Sequence, residues 1–281
     1  MNETTLVPSH LEQTRFGATK YTPEFDVQGK VIVVTGGGRG LGLCMAEALF
    51  QAGAIVHCLD RLPEPHDDFP TAQKLNGRSI GGRIHYHRIE LTNTQELHQL
   101  VADIATEHQR LDGLIAAAGV QQVTSALDFQ VEDVRKMLDV NYVAVLMSAQ
   151  AVTTQMLKWN TPGSIMLVAS MSAMVANKGL RTCVYNSSKA AVFQLTRNLA
   201  MEWGKEGIRV NSLCPGHIVT PMVEKNFEDE PWLREMWENE NMLGRLSKPN
   251  EFRGAAIFLL SNASSFMTGS SLVIDGGHTA W

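Results

Sequence analysis

The sequence predicts an α/β fold: a single doubly wound domain with a central parallel sheet flanked by helices. Three observations predict it. From Lys30 onward, short continuously apolar runs alternate with longer amphipathic ones, the pattern of strands buried on both faces and joined by helices, which makes their order parallel. A glycine-rich turn, Gly36 to Gly42, joins the first apolar run to the first amphipathic one. The 281 residues are 44% apolar, with no internal repeat and no linker-like stretch after the N-terminal arm, which suits one large domain.

The elements follow in order. The run VIVVT (31–35) reads as the first strand and 43–53 as a helix stopping at Gly53. Strands are expected at 54–60 and 83–91, a helix at 94–108, and a fourth strand at 111–119. One long helical stretch covers 131–159, followed by a strand at 163–170, a helix at 184–204 and a strand at 208–216. A helix at 251–261 and a short strand at 271–277 complete the pattern. Residues 1–28 read as a polar arm ahead of a domain spanning 29–281.

Composition excludes several classes. A net charge of −5 leaves no electrostatic footprint for nucleic acid or an acidic lipid surface. No apolar run approaches the roughly 20 residues that a bilayer span needs. The N-terminal stretch MNETTLVPSHLEQTRFGATK has no apolar signal region, so the expected location is cytoplasmic. Cys44, Cys58, Cys183 and Cys214 are scattered with no C-x-x-C pair, which fits reduced thiols better than zinc or redox chemistry.

The glycine turn carries the first chemistry. Its spacing is T-G-x-x-x-G-x-G, from Thr35 through Gly36, Gly40 and Gly42. It sits where a dinucleotide loop of a Rossmann-type sheet must sit, after the first strand and opening a helix. Backbone approaches a pyrophosphate only where side chains are absent, and a helix N-terminus favours its charge. Asp60 ends the second strand, where a carboxylate accepts from both ribose hydroxyls and repels a 2′-phosphate, which points to NAD. Arg39 and Arg61 are placed to pair with a 2′-phosphate instead, so NADP is the alternative.

Tyr185 and Lys189 stand four apart on a predicted helix and share a face. A free phenol titrates near 10. A neighbouring ammonium stabilises the phenolate, which proton exchange with an alcohol requires.

With these pieces in place, TGGGRGLG, AAAG, DVN, YNSSK and CPGHIVT occur in one order with consistent separations. The chain resembles the short-chain dehydrogenases/reductases from about Val27 to the C-terminus. The resemblance implies that Thr35, Gly36, Gly40, Leu41 and Gly42 hold the diphosphate and that Asp60 meets the adenosine ribose. Ala117 and Gly119 would lie under the cofactor. Tyr185 would exchange the proton, Lys189 would bind the nicotinamide ribose and lower the tyrosine pKa, and Asn141 would hold a water linking the lysine to solvent. Pro215, Gly216, Ile218 and Thr220 would frame the nicotinamide. Two departures stand out. The adenine contact, usually an aspartate before an apolar residue, is Glu90–Leu91, and the usual Asn-Asn-Ala-Gly is Ala116-Ala117-Ala118-Gly119.

The family's serine polarises the substrate oxygen. Counting back from Tyr185 at the common family separation selects Ser172; position at a strand end selects Ser170. Substrates of open α/β sheets bind at the carboxyl ends of strands, so Ser170 is preferred, with Ser172 as a helper. The pattern A-S-M-S-A with its longer loop, and the end SSFMTGSSLVIDGGHTAW, look like fungal arabinitol, mannitol and sorbose-type enzymes, with Ala173 where that branch usually has glycine. In the family, the segment at about 221–248 covers the substrate. Here that lid holds Phe227, Trp232, Met236, Trp237 and Met242.

The expected activity is reversible hydride transfer between a nicotinamide cofactor and a secondary alcohol or ketone, with no metal. The first substrate choice is a polyol/ketose pair. A bulkier secondary-metabolite carbonyl is the alternative, motivated by the aromatic lid. A non-catalytic NAD(H)-binding protein is the contrasting class, disfavoured because Tyr185 and Lys189 are both intact. The resemblance further implies a homotetramer built on 131–159, 184–204 and the C-terminal segment.

Overall fold

The computed structural model describes residues 22–281 apart from 68, 70–72 and 75–80. Seven strands form the sheet: β1 (Val31–Thr35), β2 (Ile55–Asp60), β3 (Arg83–Arg88), β4 (Gly113–Ala116), β5 (Gly163–Val168), β6 (Ile208–Pro215) and β7 (Ser271–Ile274). Their spatial order is β3-β2-β1-β4-β5-β6-β7, and every pairing is parallel. The chain runs outward from β1 to β3, then returns beside β1 as β4. A reversal of this kind opens a crevice at the carboxyl ends of β1 and β4.

The central strands are apolar throughout because helices cover both faces. On one face lie α2 (Thr94–His108), α4 (Ala144–Lys158) and α5 (Cys183–Trp203), packed through Leu97, Val101, Val152, Met156, Val192 and Leu199. On the other lie α1 (Gly40–Gln51) and α8 (Arg253–Leu260), packed through Met45, Leu49, Phe50, Ala256 and Leu259. A smaller third cluster around Leu233, Trp237 and Leu246 belongs to the segment after β6. That segment contains α6 (Pro221–Asp229) and α7 (Trp232–Glu240), two helices that its mixed acidic and aromatic composition did not announce.

Three differences from the sequence reading have physical reasons. Residues 1–21 of the expected arm lie outside the described residues, whereas Val27 is already core at 1% exposure. The long stretch 131–159 is not one α-helix: α3 (Val131–Leu138) passes through a π-helical turn, Asp139–Val143, before α4 begins. Such wide turns commonly mark functional positions, and this one carries buried Asn141. The fourth strand stops at Ala116 rather than Gly119, because past it the Asn141 side chain, not a neighbouring strand, takes the backbone bonds of Val120.

Candidate active site

The glycine loop is shaped by what surrounds it. Gly36 has φ +67°, and a Cβ there would meet the Ala118 backbone at 2.8 Å. A Cβ at Gly42 would lie 2.2 Å from the Gly36 carbonyl oxygen, and one at Gly38 would lie 2.9 Å from the Asp60 carboxylate. Gly40, with φ +58°, faces open space. Arg39 at the N-cap of α1 offers no side-chain capping bond, so the helix begins with N–H groups that no side chain caps. Bare backbone beside an uncapped helix N-terminus is the surface that a diphosphate fits.

Asp60 closes β2 with its carboxylate engaged: Oδ2 accepts from Gly38 N at 3.0 Å and Oδ1 from Leu62 N at 3.3 Å. Arg39 and Arg61 are both exposed beside it. Thr35 is buried at 1% exposure, and its hydroxyl accepts from Ala118 N at 3.5 Å. The Ala117 amide donates to the Thr35 carbonyl at 3.1 Å. Leu41 is half-buried on the first turn of α1. Glu90 is exposed while Leu91 packs into the core, so only the backbone and the acidic head of that pair reach outward.

At the ends of β5 and β6 the reacting groups come together. Ser170 follows β5 directly and is the N-cap of a short 3₁₀ turn, Met171–Ala173, accepting from Ser172 N at 3.1 Å. The Ser170 hydroxyl lies near enough to Tyr185 to lower the phenol's pKa. Ser172 points its hydroxyl elsewhere, donating to Asn177 Oδ1 at 2.9 Å. Desolvation raises the Tyr185 pKa from the ordinary phenol value, and the nearby Ser170 hydroxyl opposes that rise.

Lys189 lies one turn along α5, 4% exposed, with its ammonium donating to the Val168 carbonyl at 2.9 Å. Its Nζ is 5.8 Å from the Tyr185 ring centre. Burial lowers its pKa to about 8. Desolvation is the largest influence on Tyr185, while the Lys189 ammonium is held on a backbone carbonyl. Asn141 is fully buried and braces the loop after β4: it accepts from Val120 N at 2.8 Å and donates to Val120 O at 2.9 Å and to Ser188 Oγ at 3.0 Å. A Cβ on Gly119 would sit 3.5 Å from both Asn141 Oδ1 and Lys189 Nζ, so this glycine lies between the two.

The loop leaving β6 frames the same end of the sheet. Pro215 is buried, and Gly216 donates to Ile274 O at 2.9 Å with no room for a Cβ, which would meet Asp275 at 2.6 Å. Ile218 is 7% exposed and forms an isolated bridge with Ser247, and Thr220 is the N-cap of α6.

Several side chains that the sequence reading passed over belong to this neighbourhood. Ser188 is fully buried and donates to Tyr185 O at 2.7 Å while accepting from Asn141, tying the π-helical turn to the tyrosine's own backbone. Asn177, Thr182 and Asn186 form a polar mesh that folds the loop after β5 onto α5. Asparagine beside a helix start is a sequence signal for such a brace. A groove of about 550 Å³ runs along this mesh, lined by Ser172, Met174, Asn177, Leu180 and Asn186. Its lining reaches Ser172, Asn186 and Ser187, beside Ser170 and Tyr185 in the chain. Among the described residues, no group of three or more His, Cys, Asp or Glu is placed to hold a metal ion, and no helix is long and apolar enough to cross a membrane.

Comparison with known proteins agrees with this geometry. A family model described as enoyl-(acyl carrier protein) reductase matches residues 36–279. The short chain dehydrogenases/reductase notP' of Aspergillus versicolor is 38% identical over 92% of this chain and 89% of its own. The ribulose-forming D-arabinitol 2-dehydrogenase of Candida albicans is 31% identical over 92% of this chain and 96% of its own. Among solved structures, the NADPH-dependent 3-quinuclidinone reductase of Rhodotorula rubra superposes with a TM-score of 0.83 at 32% identity, covering 94% of this chain and 98% of that one. A tyrosine beside a strand-end serine, a buried lysine one turn away and a glycine loop fit for a dinucleotide have the same source as these likenesses: the chain belongs to the short-chain dehydrogenase/reductase family and is an oxidoreductase acting on CH–OH groups with a nicotinamide cofactor.

Proposed function

We propose that the protein interconverts a polyol and its ketose at a secondary carbon, using NAD in preference to NADP. The observation that carries the reading is the placement of Ser170 beside Tyr185 at the end of β5, with Lys189 buried on the tyrosine's own helix. The likeness to a D-arabinitol 2-dehydrogenase supports the substrate class. The engaged Asp60 carboxylate at the end of β2 supports NAD, because a 2′-phosphate there would meet a fixed negative charge.

A bound nicotinamide supplies or accepts the hydride. In oxidation, the Tyr185 oxygen takes the hydroxyl proton, and Ser170 donates to the substrate oxygen and holds it in place. Lys189 keeps a positive charge near the phenolate below its pKa of about 8. Asn141 and Ser188 fix the helix turn that carries Tyr185. In reduction the same oxygen returns the proton. The segment 221–248 acts as the lid of a domain spanning 29–281, and the active protein is a homotetramer; exposed Leu157 on α4, Met201 on α5 and Trp281 at the C-terminus support an apolar subunit contact. The free cysteines support a reducing, cytoplasmic setting.

A bulkier cyclic ketone is the second reading, favoured by the aromatic lid and by the likeness to a quinuclidinone reductase. Cofactor turnover with NAD and NADP against arabinitol, mannitol, sorbose and bulky cyclic ketones separates the two. Tyr185→Phe lowers kcat/KM on the preferred substrate by about 10²–10⁴-fold; full activity in that variant would refute the scheme.

A further inference from the structure

Trp237 sits where three segments meet. It belongs to α7, is 1% exposed, and lies flat on the His217 ring at 3.8 Å with an interplanar angle of 6°. It also meets Phe227 of α6 at 5.5 Å, and its Nε1 donates to Lys178 O at 3.5 Å. His217 is in the loop leaving β6, between Gly216 and Ile218. Lys178 is in the loop leaving β5, downstream of Ser170. The face of one tryptophan therefore touches the loop leaving β6 and its Nε1 edge the loop leaving β5, each of which carries part of the candidate site.

The surrounding geometry makes this contact a fastening. The base of the lid is tied: Ser247 N and Oγ both donate to His217 O, at 3.0 and 2.9 Å, and Val219 N donates to Ser247 O at 2.9 Å. The body of the lid is tied to the other loop at Gly179, whose φ is +78° and where a Cβ would meet Met236 at 2.7 Å, Trp232 at 2.8 Å and Leu233 at 3.0 Å. Lys178 adds an ion pair with Glu240 at 3.3 Å, exposed and so of little energetic weight. Burial holds His217 neutral, and the edge of His278 closes the stack at 5.4 Å. A face-to-face stack between neutral aromatic rings holds orientation as well as distance.

We propose that Trp237 is a positioning residue for the reaction: stacked on His217 and bonded to Lys178, it holds the loop leaving β5 and the loop leaving β6 in one arrangement while the lid is down. The proposal rests on the reading of 221–248 as a substrate lid and deepens it. A lid that lifts must slide Trp237 off His217 and off the Lys178 carbonyl. Opening for substrate entry therefore releases both loops together, and closing realigns them. The larger consequence falls on substrate capture, because the diphosphate and adenosine-ribose contacts expected of the cofactor lie on the β1 and β2 side of the sheet and only its nicotinamide end meets the loop leaving β6.

The test uses full-length Trp237→Phe, Trp237→Ala, His217→Ala and Gly179→Ala. Activity is measured on the best substrate of the panel, and hydrogen exchange is followed without substrate. Trp237→Phe retains the stack and stays within about threefold of the parent, whereas Trp237→Ala and Gly179→Ala raise the substrate KM about tenfold with kcat and cofactor affinity changed far less. In Trp237→Ala, exchange quickens in 172–182 and 215–219 as well as in 221–246. An unchanged KM in a folded Trp237→Ala protein, an equal loss in Trp237→Phe, or quickened exchange confined to 221–246 each overturns the proposal. If Trp237→Ala does not fold, His217→Ala and Gly179→Ala decide by the same criteria. A parent protein inactive on every alcohol and ketone would overturn the proposed function, while the exchange pattern would still judge the fastening.

Discussion

The glycine loop after β1 is held by backbone, and the lid after β6 is held by side chains. In the loop, the limiting contacts are a Cβ at Gly42 against the Gly36 carbonyl and a Cβ at Gly36 against the Ala118 backbone. No alternative rotamer relieves them, so only glycine satisfies the geometry. In the lid, the contacts are rings and aliphatic chains: Trp237 on His217, Leu233 and Met236 over Gly179. Many sequences can supply such packing. A loop built this way tolerates little change, whereas a lid built from side chains can be repacked around a different substrate.

The sharpest way to break this comparison is Gly42→Ala. The added methyl must displace the Gly36 carbonyl, 2.2 Å from where it would sit, and with it the start of α1. We expect cofactor affinity to fall by more than tenfold and the fold to lose about 1–3 kcal/mol, the usual cost of overpacking. Isothermal titration with NAD and urea unfolding measure the two. Affinity within twofold of the parent would mean that the loop is as tolerant as the lid.

A smaller effect is expected from Asp60→Ala, which keeps the loop's glycines but removes the acceptor for Gly38 N and Leu62 N. Hydrogen bonds to a charged group are worth about 1.5–3 kcal/mol, so NAD should weaken by about one to two powers of ten. NADP should gain on NAD, because Arg39 and Arg61 remain exposed at the same edge. Competition binding of the two cofactors checks the direction. NADP weakening as much as NAD would show that Asp60 shapes the loop without choosing the cofactor.

The same contrast explains what was legible in the sequence. Thr35, the glycines and Asp60 are spaced by local chain geometry, so order along the chain reveals them. Tyr185 and Lys189 are visible because four residues make one helical turn. Ser170 is preferred over Ser172 in the sequence because strand ends are where open sheets place their sites; in the structure Ser170 lies beside Tyr185, while the Ser172 hydroxyl donates to Asn177. Ser188, Asn177 and the His217–Trp237 stack were not legible. Each acts through a partner distant in sequence, and nothing local distinguishes a bracing serine from an ordinary helix serine. The π-helical turn at Asn141 escaped for a related reason: apolar periodicity continues through 131–159, and one extra residue in a turn barely disturbs it.

The finest test compares two buried histidines, one in each half. His57 on β2 is 1% exposed, with Nδ1 2.9 Å from His87 Nε2 and Nε2 3.0 Å from His108 Nε2. Burial, reinforced by His85, His87 and His108, lowers its pKa to about 3, and burial with His278 does the same for His217. Other charged groups around His57 are Glu107 beside His108 and Arg83 beside His85. Each histidine stays neutral in the folded chain and takes up a proton near pH 6.5 once unfolded. Their contribution to stability is therefore complete above pH 6.5 and is lost as pH falls towards 3, at about 1.4 kcal/mol per pH unit for each group. His57→Gln and His217→Gln should each flatten the decline of urea-unfolding stability between pH 6 and pH 4 by that one-proton slope, even where they weaken the protein at pH 7. Only His217→Gln should also raise the substrate KM, since only that ring supports the lid. Equal changes in KM from both would mean that the two halves are mechanically continuous, and that the division between backbone-built and side-chain-built regions does not extend to function.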